Sequence, residues 1–420
     1  MTSVVFVCLD ADTLGGIQRV THTVAQGLAG RGYDVHVVGL HRAEVTVRYV
    51  DRPGYRHHVI HATPAGAGRL SRVAARRERR RLREVFWQAG PGFAVLTSPG
   101  VVPRVTGVLP DRLLPIGQYH GSYEHARGSW HLRAVRDRYG ELEAAVFLSE
   151  DDAWRFAEQA PLPNVWAIPN PLPGRPYRAS GLDGRRVLGV GRLEGVKRFD
   201  RLISAFAEAV RTVDGERPSG PSHGNTAAHG ERPSRPSYGE ATHGPADGGR
   251  PSGPSHGEAA AHGPADGGAD GRWELHLVGD GAERERLRGH AAACGVADRV
   301  VLRGAVPASA MEREYLAASL LALSSEHEGL PLVVGEAASC GVPAVAFDVS
   351  GGVRSLVVHG RTGLLVPPAD VPALAAALAR LMTSGDERRR LGAAARAHVE
   401  AFRPERVLDR WEALFAQITR

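Results

Sequence analysis

The sequence VVFVCLDADTLGGIQRVTHTVAQGLAGRGYDVHVVGL, residues 4–40, contains the pattern from which the fold is predicted. Residues 4–9 form a short apolar run, which predicts a buried strand, and residues 10–16 predict a turn. Residues 17–29 carry apolar side chains at helical spacing, and residues 35–40 form a second apolar run. A strand, a helix and a second strand in this order predict a βαβ unit.

A second series of alternating elements begins near residue 187. The predicted strands are 187–190, 274–278, 300–303, 320–323 and 342–347, and the predicted helices are 201–210, 312–318 and 332–339. Between the two series, the proline-rich IPNPLPG at residues 168–174 suits an interdomain linker. We therefore predict an α/β protein with two Rossmann-like, doubly wound domains, residues 1–168 and 169–400. They face each other across a cleft, which is the expected binding site.

Two further segments are predicted, a C-terminal helix and a long insert in the second domain. Residues 401–420 are expected to form a helix that packs back toward the first domain. Residues 214–271 contain 14 Gly and 8 Pro but no Ile, Leu, Val, Met, Phe or Trp. Such a segment cannot bury enough apolar area to offset its ordering entropy, so we expect a disordered insert in the second domain. Its five histidines follow a repeated sequence block, which argues against a metal site.

Composition limits the protein class. The chain has 420 residues, 43% of them hydrophobic and 23% charged, which predicts more than one globular domain. It contains no apolar run of membrane-spanning length, and its first residues lack the basic lead of a secretory signal. The three cysteines lie far apart, which excludes a disulfide framework and a cysteine-based zinc site. We therefore expect a cytoplasmic enzyme.

The stretch SSEHEGLPLVVGEAA at residues 324–338 is the most informative about function. It follows a predicted strand and opens a predicted helix, so backbone N–H groups and the positive end of the helix dipole should face the cleft. Such an arrangement suits a phosphate group. Glu328 lies in the loop and Glu336 on the helix, and a carboxylate can accept two hydrogen bonds from a vicinal diol. Both therefore suit a ribose or a hexose, although on spacing alone both could be ordinary surface glutamates.

Together with other motifs, this stretch resembles glycosyltransferase family 4. This is a large group of retaining, nucleotide-sugar-dependent enzymes with the GT-B fold, within the glycosyl transferases group 1. The similarity rests on Glu328-x7-Glu336, VGRL at 190–193 with Lys197, VGDG at 278–281, GVPAVA at 341–346 and GRTGLLVP at 360–367. It covers the chain apart from the insert. The resemblance implies the GT-B fold and transfer of a sugar from a nucleotide diphosphate donor, most often a UDP-sugar, to an acceptor hydroxyl.

The resemblance also implies roles for the charged residues in the second domain. Arg192 and Lys197 would neutralise the donor diphosphate, whose developing charge must be met in the transition state. Lys197 is the only lysine in a chain whose Lys and Arg together number 52. Glu336 would bind the ribose hydroxyls, and Glu328 would bind the hydroxyls of the sugar.

Uncharged residues would complete the donor site. Backbone groups of Gly329, Leu330 and Leu332 would meet sugar and phosphate oxygens. In the first domain, the side-chain-free Gly15 and Gly16 would let the backbone approach the diphosphate. His120, in the segment QYHGS, matches a sugar-contacting histidine of the family, although a lone histidine is more often structural.

The resemblance implies catalysis without a cofactor or metal ion, and no Asp-x-Asp motif is placed to hold a metal–diphosphate. In two positions the chain departs from the family. After Gly351-Gly352 it has Arg354-Ser355 where a proline and a carboxylate are usual, and Gly335 stands where a larger apolar residue is common. These departures affect fine details of the donor pocket and leave the phosphate and ribose groups in place.

Three other functions are alternatives to sugar transfer. A nucleotide-sugar epimerase of the same architecture would turn over the donor with no acceptor present. A basic nucleic-acid-binding protein would show strong salt-dependent DNA binding, and the phosphate constellation argues against it. A Rossmann oxidoreductase is weaker still, because no Gly-x-Gly-x-x-Gly follows the first strand.

The acceptor side is marked by a basic segment at residues 69–86, which holds eight arginines and apolar residues at roughly helical spacing. A helix with this charge density would attract an anionic acceptor, such as a polyol-phosphate or lipid-linked glycan, or the inner face of an anionic membrane. It could equally be a solvated helix face in an arginine-rich chain. Contact with a membrane would be peripheral, because no long hydrophobic flank accompanies the segment.

Overall fold

The computed structural model describes residues 1–65, 71–174, 176–215 and 271–419. These residues contain two parallel sheets with helices on both faces. The first sheet has the strand order β3-β2-β1-β4-β5-β6-β7, and the second has the order β10-β9-β8-β11-β12-β13. The strands are β1 Ser3–Asp10, β2 Asp34–His41, β3 Arg56–His61, β4 Gly92–Leu96, β5 Leu113–Gln118, β6 Ala144–Phe147, β7 Val165–Ala167, β8 Arg186–Val190, β9 Glu274–Val278, β10 Val300–Gly304, β11 Leu320–Leu323, β12 Ala344–Phe347 and β13 Gly363–Val366.

Most of the helices connect successive strands, and the last three follow the last strand. The helices are α1 Gly16–Gly30, α2 Arg72–Gln88, α3 Val102–Val105, α4 Tyr123–Arg127, α5 Trp130–Tyr139, α6 Glu150–Gln159, α7 Phe199–Val213, α8 Arg284–Ala293, α9 Met311–Leu316, α10 Leu332–Ser339, α11 Gly351–Leu356, α12 Val371–Thr383, α13 Gly385–His398 and α14 Pro404–Ile418. In each sheet the chain adds strands on one side of its first strand, β1 or β8, and then continues on the other side of that strand. This reversal is typical of doubly wound folds. The predicted α/β class with two doubly wound sheets is confirmed.

The first βαβ unit shows why the sequence folds in this way. Residues 4–7 of β1 are almost fully buried because the strand lies in the middle of the sheet with neighbours on both sides. Helix α1 buries Val20, Val24 and Leu28 against it, and most of the helix residues that are not buried are half-buried. A central parallel strand covered on both faces needs a continuous apolar run, which is the pattern of β1.

The C-terminal helix α14 returns to the first sheet. Its buried residues include Leu408, Trp411 and Phe415, which share a core cluster with residues of β1 and β4. Phe415 stacks on Phe93 with the ring centroids 4.1 Å apart, and Trp411 meets Phe6 edge to face. The chain therefore passes from the first sheet to the second and, at α14, back to the first.

Residues 216–270, which make up most of the predicted insert, lie outside the described residues. The described chain reaches Gly215 after α7 and resumes at Gly271 before β9. Both flanks are held by side chains: Arg299 donates to Asp214, and Arg185 donates to the carbonyl of Gly271. No helix in the described part of the chain combines the length and the apolar character needed to cross a membrane.

Candidate active site

Lys197 and Glu328 meet at the carboxyl edge of the second sheet. Lys197 ends a 3-10 turn, Gly195–Lys197, between β8 and α7, and Glu328 lies in the loop between β11 and α10. The Lys197 Nζ donates to Glu328 Oε1 over 2.7 Å, and the carbonyl of Lys197 accepts a hydrogen bond from Ser324 Oγ. The lysine side chain is 23% exposed, so its ammonium is anchored and still accessible. Two residues predicted for the donor site are thus in direct contact.

Glu336 lies in the first turns of α10 and is held by two residues that the sequence analysis did not identify. The Tyr315 hydroxyl, from α9, donates to Glu336 Oε2 over 2.6 Å. On the other oxygen, Arg19 Nη1 lies 2.6 Å from Oε1, and Arg19 belongs to α1 of the first domain. Glu336 is 6% exposed and Tyr315 is 2% exposed. Burial, followed by the charge of Glu336, raises the pKa of Tyr315 well above its ordinary value, so the hydroxyl keeps its proton.

His120 and Gly329 bring the two halves together at the donor loop, which is the segment 324–331 between β11 and α10. A side chain on Gly329 would overlap the backbone carbonyl of His120, and one on Gly352 would overlap the carbonyl of Gly329. Only glycine permits this three-layered backbone contact. The His120 residue is partly exposed, but its Nε2 atom is buried without a hydrogen-bond partner, and burial lowers the pKa of His120 to about 4. The imidazole is therefore neutral at pH 7.

The glycine loop of the first domain is fixed by Tyr49. The Tyr49 hydroxyl accepts a hydrogen bond from the Gly15 N–H over 2.8 Å and donates to the carbonyl of Thr13 over 2.6 Å. Gly16 begins α1, and a side chain there would only just touch Leu332 of the second domain. The two predicted glycines thus border the cleft. Of the two, Gly15 has its N–H engaged with Tyr49.

Arg192 and the two leucines take different positions. The Arg192 side chain is 69% exposed and donates to Glu194 over 3.1 Å, so its guanidinium does not contact the Lys197–Glu328 pair. Leu330 is buried in the core of the second domain. Leu332 packs against core clusters of both domains, which places the start of α10 at their junction.

The departure at residue 335 has a steric reason. A side chain at Gly335 would overlap the side chain of Leu172, which belongs to the linker between the domains and is 1% exposed. Leu172 therefore fills the volume that a larger residue at position 335 would take. The absence of a side chain at position 335 is thus compensated by the side chain of Leu172.

The departure at residue 354 creates a contact between the domains. Arg354, in α11, donates to Asp348 in its own domain and to Glu124 and Asp151 in the first domain, each over 2.7 Å. Partial burial alone would lower the pKa of Arg354, but hydrogen bonds to these three carboxylates raise it above its ordinary value. Arg155 pairs with the same two carboxylates of the first domain. The resulting network joins α4 and α6 to α11 beside the donor loop.

A group with metal-ligating side chains lies away from this site. Among the described residues, His41, His61 and Glu78 are the set whose ligand atoms lie within 4.8 Å of one another. Arg104 already contacts this set: its guanidinium pairs with both oxygens of Glu78, and one nitrogen lies 3.0 Å from His41 Nε2. Since a guanidinium supplies the positive charge there, the arrangement is better explained as an ion pair than as a metal centre.

The basic segment forms the well-exposed helix α2. It turns Leu82, Val85 and Phe86 inward, while its arginines at 72, 76, 77, 79, 80, 81 and 83 are exposed. Trp87 at the end of the helix is 77% exposed and stacks against Arg112. Residues 66–70, with Arg69 and Leu70 of the predicted segment, lie outside the described residues.

The sequence is similar to known proteins over part or all of its length. Residues 258–398 match the family model described as glycosyl transferases group 1, and this range contains Glu328 and Glu336. The match supports the predicted membership of this group. Among curated proteins, the chain is similar to an exopolysaccharide phosphotransferase of Streptomyces coelicolor, with 27% identity over 448 residues. The alignment covers 99% of this chain and 41% of that protein, so the chain spans less than half of its relative.

Solved structures share the architecture of the whole chain. A TarM mutant of S. aureus, in complex with Fondaparinux, alpha-GlcNAc-glycerol and UDP, has a TM-score of 0.72 at 12% identity, covering 99% of this chain and 100% of that one. Anabaena HepE in complex with UDP and glucose has a TM-score of 0.70 at 15% identity, again covering 99% and 100%. Similarity at this identity shows the fold, and it confirms the predicted GT-B arrangement of the two domains.

Proposed function

We propose that this chain is a glycosyltransferase that moves a sugar from a nucleotide diphosphate sugar to an acceptor hydroxyl. The observation that carries the proposal is the 2.7 Å contact between Lys197 and Glu328 at the cleft between two doubly wound domains. An ammonium has three donors, so Lys197 can keep Glu328 and still donate to a phosphate oxygen. The match of residues 258–398 to the glycosyl transferases group 1 supports the same activity.

The donor would bind to the second domain with its two glutamates in different roles. Glu336, with Tyr315 holding one oxygen, is suited to accept hydrogen bonds from the ribose hydroxyls. Glu328 would accept from the hydroxyls of the sugar, and the start of α10 would face the diphosphate. The Arg192 side chain is exposed, and we expect it to turn toward a phosphate by a change of rotamer, which would bring a second cation to the leaving group.

The proposed reaction retains the configuration of the anomeric carbon. The bond between that carbon and the donor phosphate breaks on the same face on which the acceptor oxygen bonds. The leaving phosphate oxygen takes the acceptor proton, so that no protein nucleophile is required. Lys197 stabilises the negative charge that develops on the phosphate. His120 is neutral at pH 7 and would contact the sugar through a hydrogen bond rather than a charge.

UDP is our proposal for the nucleotide. Both structures compared above contain UDP, and one of them also contains glucose. The acceptor is proposed to be a glycan, a polyol-phosphate or a lipid-linked saccharide. The exposed arginines of α2, together with Trp87, suit an anionic acceptor or the inner face of an anionic membrane, where the protein would bind peripherally from the cytoplasm.

The proposal is tested by a screen of UDP-glucose, UDP-N-acetylglucosamine, GDP-mannose and ADP-glucose. A ligand that binds only the folded state raises the melting temperature, so at least one donor should do so. The same donor should release its nucleoside diphosphate slowly without an acceptor and faster with one. A product mass increased by one sugar residue would show sugar transfer, whereas a gain of phosphate would show phosphotransfer. An epimerised donor as the sole product would contradict the proposal, and so would the absence of binding by all four donors.

A further inference from the structure

A row of ring side chains runs from the donor loop to the surface of the first domain. His327, next to Glu328, lies with its ring centroid 4.6 Å from that of His125 in α4. His125 in turn lies 5.1 Å from His131, and His131 stacks on Trp130 at 4.2 Å with an angle of 26° between the planes. Each ring in the row therefore contacts the next, across the junction of the two domains.

The outer end of the row is open to solvent. Trp130 is 60% exposed at the start of α5, although indole is a side chain that normally gains much from burial. The orientation of its neighbour is fixed, because His131 Nδ1 lies 2.8 Å from the Oγ of Ser129, the residue that caps α5. An exposed tryptophan on a rigid support presents a flat apolar face that can stack on a ligand.

Two histidines of the row, His125 and His131, have lowered pKa values. Burial, followed by the charges of His327 and His131, lowers the pKa of His125 below its ordinary value, and burial does the same for His131. A neutral imidazole offers one hydrogen-bond donor and one acceptor in the plane of its ring. His125 and His131 thus combine ring faces with polar edges and favour the uncharged form.

A pyranose ring has complementary chemistry. Its two faces carry C–H groups of slightly positive character, which suit the negative face of an aromatic ring, and its rim carries hydroxyls that both donate and accept. The row ends at His327, one residue before the glutamate proposed to bind the transferred sugar. A saccharide lying along the row would therefore bring a hydroxyl group to the donor.

We propose that Trp130, His131, His125 and His327 form an aromatic platform that binds a neutral saccharide, the acceptor of the transfer reaction. The proposal rests on the function proposed above, because only a glycosyltransferase needs a second sugar beside the donor loop. It assigns the acceptor saccharide to α4 and α5, whereas the basic helix α2 would attract a charged or membrane-bound part of the same acceptor.

The test measures the binding of neutral trisaccharides to the full chain, without donor, by saturation-transfer NMR. The probes are maltotriose, cellotriose, chitotriose and mannotriose at millimolar concentrations. The variants are Trp130→Ala, Trp130→Phe and the matched control Trp154→Ala. Trp154 is 59% exposed on α6, so the control removes an equally exposed indole. Melting curves of all variants establish that they are folded.

We expect at least one probe to receive saturation at its ring C–H protons with the wild type and with Trp154→Ala. Trp130→Ala should weaken its affinity about tenfold, and Trp130→Phe should retain most of it, because stacking needs a ring face. No saturation of any probe by the wild type would overturn the platform, and so would equal affinities for the wild type and Trp130→Ala. Nucleoside diphosphate release by the wild type without acceptor reports on the proposed function separately, since it needs no saccharide.

Discussion

Arg19 and Glu336 form an ion pair across the cleft, with Arg19 Nη1 of the first domain 2.6 Å from Glu336 Oε1 of the second. The carboxylate that would hold the ribose is thus also a contact between the domains. The other oxygen of Glu336 accepts a hydrogen bond from the buried hydroxyl of Tyr315. If a ribose binds at Glu336 as proposed, its binding would be coupled to the position of α1, which carries Gly16 at its start.

Glu336→Gln should weaken binding of the nucleoside diphosphate by about ten- to a hundredfold, because hydrogen bonds to a charged group contribute about 1.5–3 kcal/mol. Tyr315→Phe should weaken it less, since the carboxylate stays but loses the group that orients it. Isothermal titration calorimetry with UDP measures both effects. Glu312→Gln, at an exposed position of α9, is the matched control. Equal affinities for Glu336→Gln and Glu312→Gln would remove Glu336 from the donor site.

Arg354→Ala should lower the free energy of unfolding by about 1–2 kcal/mol, because it removes three charge-assisted hydrogen bonds that are partly exposed. The loss should be smaller in high salt, since exposed charges are screened. Urea unfolding at low and high salt measures this difference. Arg389→Ala removes an exposed arginine that pairs with Asp386 and serves as the control. If Arg354→Ala were as stable as that control at low salt, the network would not join the domains.

The basic helix should bind anionic liposomes at low salt and release them at high salt. Changing Arg76, Arg77, Arg80 and Arg83 to Ser should abolish co-sedimentation. Arg81 is left in place because its guanidinium donates to the carbonyl of Ile60. A second variant with the same loss of charge, at Arg286, Arg288, Arg389 and Arg390, should still sediment. Equal sedimentation of the two variants would show that net charge, rather than α2, is responsible.

Acid should destabilise the protein below about pH 6.5. Burial lowers the pKa of His58 and of His120 from 6.5 to about 4. As the pH falls from 6.5 to 4, the unfolded chain therefore binds protons at these two residues that the folded chain does not bind, and folding becomes less favourable. Asp152 acts in the opposite sense, because burial raises its pKa to about 6 and the folded state binds that proton first. Other histidines whose pKa is lowered by burial, such as His22 and His57, add to the first effect, so the urea midpoint should be lower at pH 5 than at pH 7. A midpoint that is unchanged or higher at pH 5 would contradict this balance.

The fold was predictable where apolar runs are continuous. The strands at 274–278 and 320–323 lie where the sequence placed them, and β1 and β2 differ from their predictions by one residue at each end. The strand β3, Arg56–His61, gives no such signal, because it lies at the edge of the sheet and contains three histidines and an arginine. Polar edge strands have no pattern that separates them from loops.

The candidate site was predictable where a residue stands in a motif. Lys197 and Glu328 were identified separately, but their contact joins positions 131 residues apart, which no local pattern encodes. Tyr315 and Arg19 carry no motif, and their relation to Glu336 exists only because α9, α1 and α10 meet at the cleft. In the same way, Leu172 accounts for Gly335 only once the linker is seen to pack on α10.

Lys197 is proposed to stabilise the leaving diphosphate of a nucleotide sugar, and the rate of nucleoside diphosphate release measures this role. Lys197→Ala should lower this rate by on the order of a hundredfold or more, and Arg192→Ala should act in the same direction, because each removes charge needed in the transition state. Arg201→Ala, which removes a neighbouring cation paired with Glu326, should leave the rate near that of the wild type. If Lys197→Ala released the nucleoside diphosphate as fast as Arg201→Ala, Lys197 would not stabilise the leaving group.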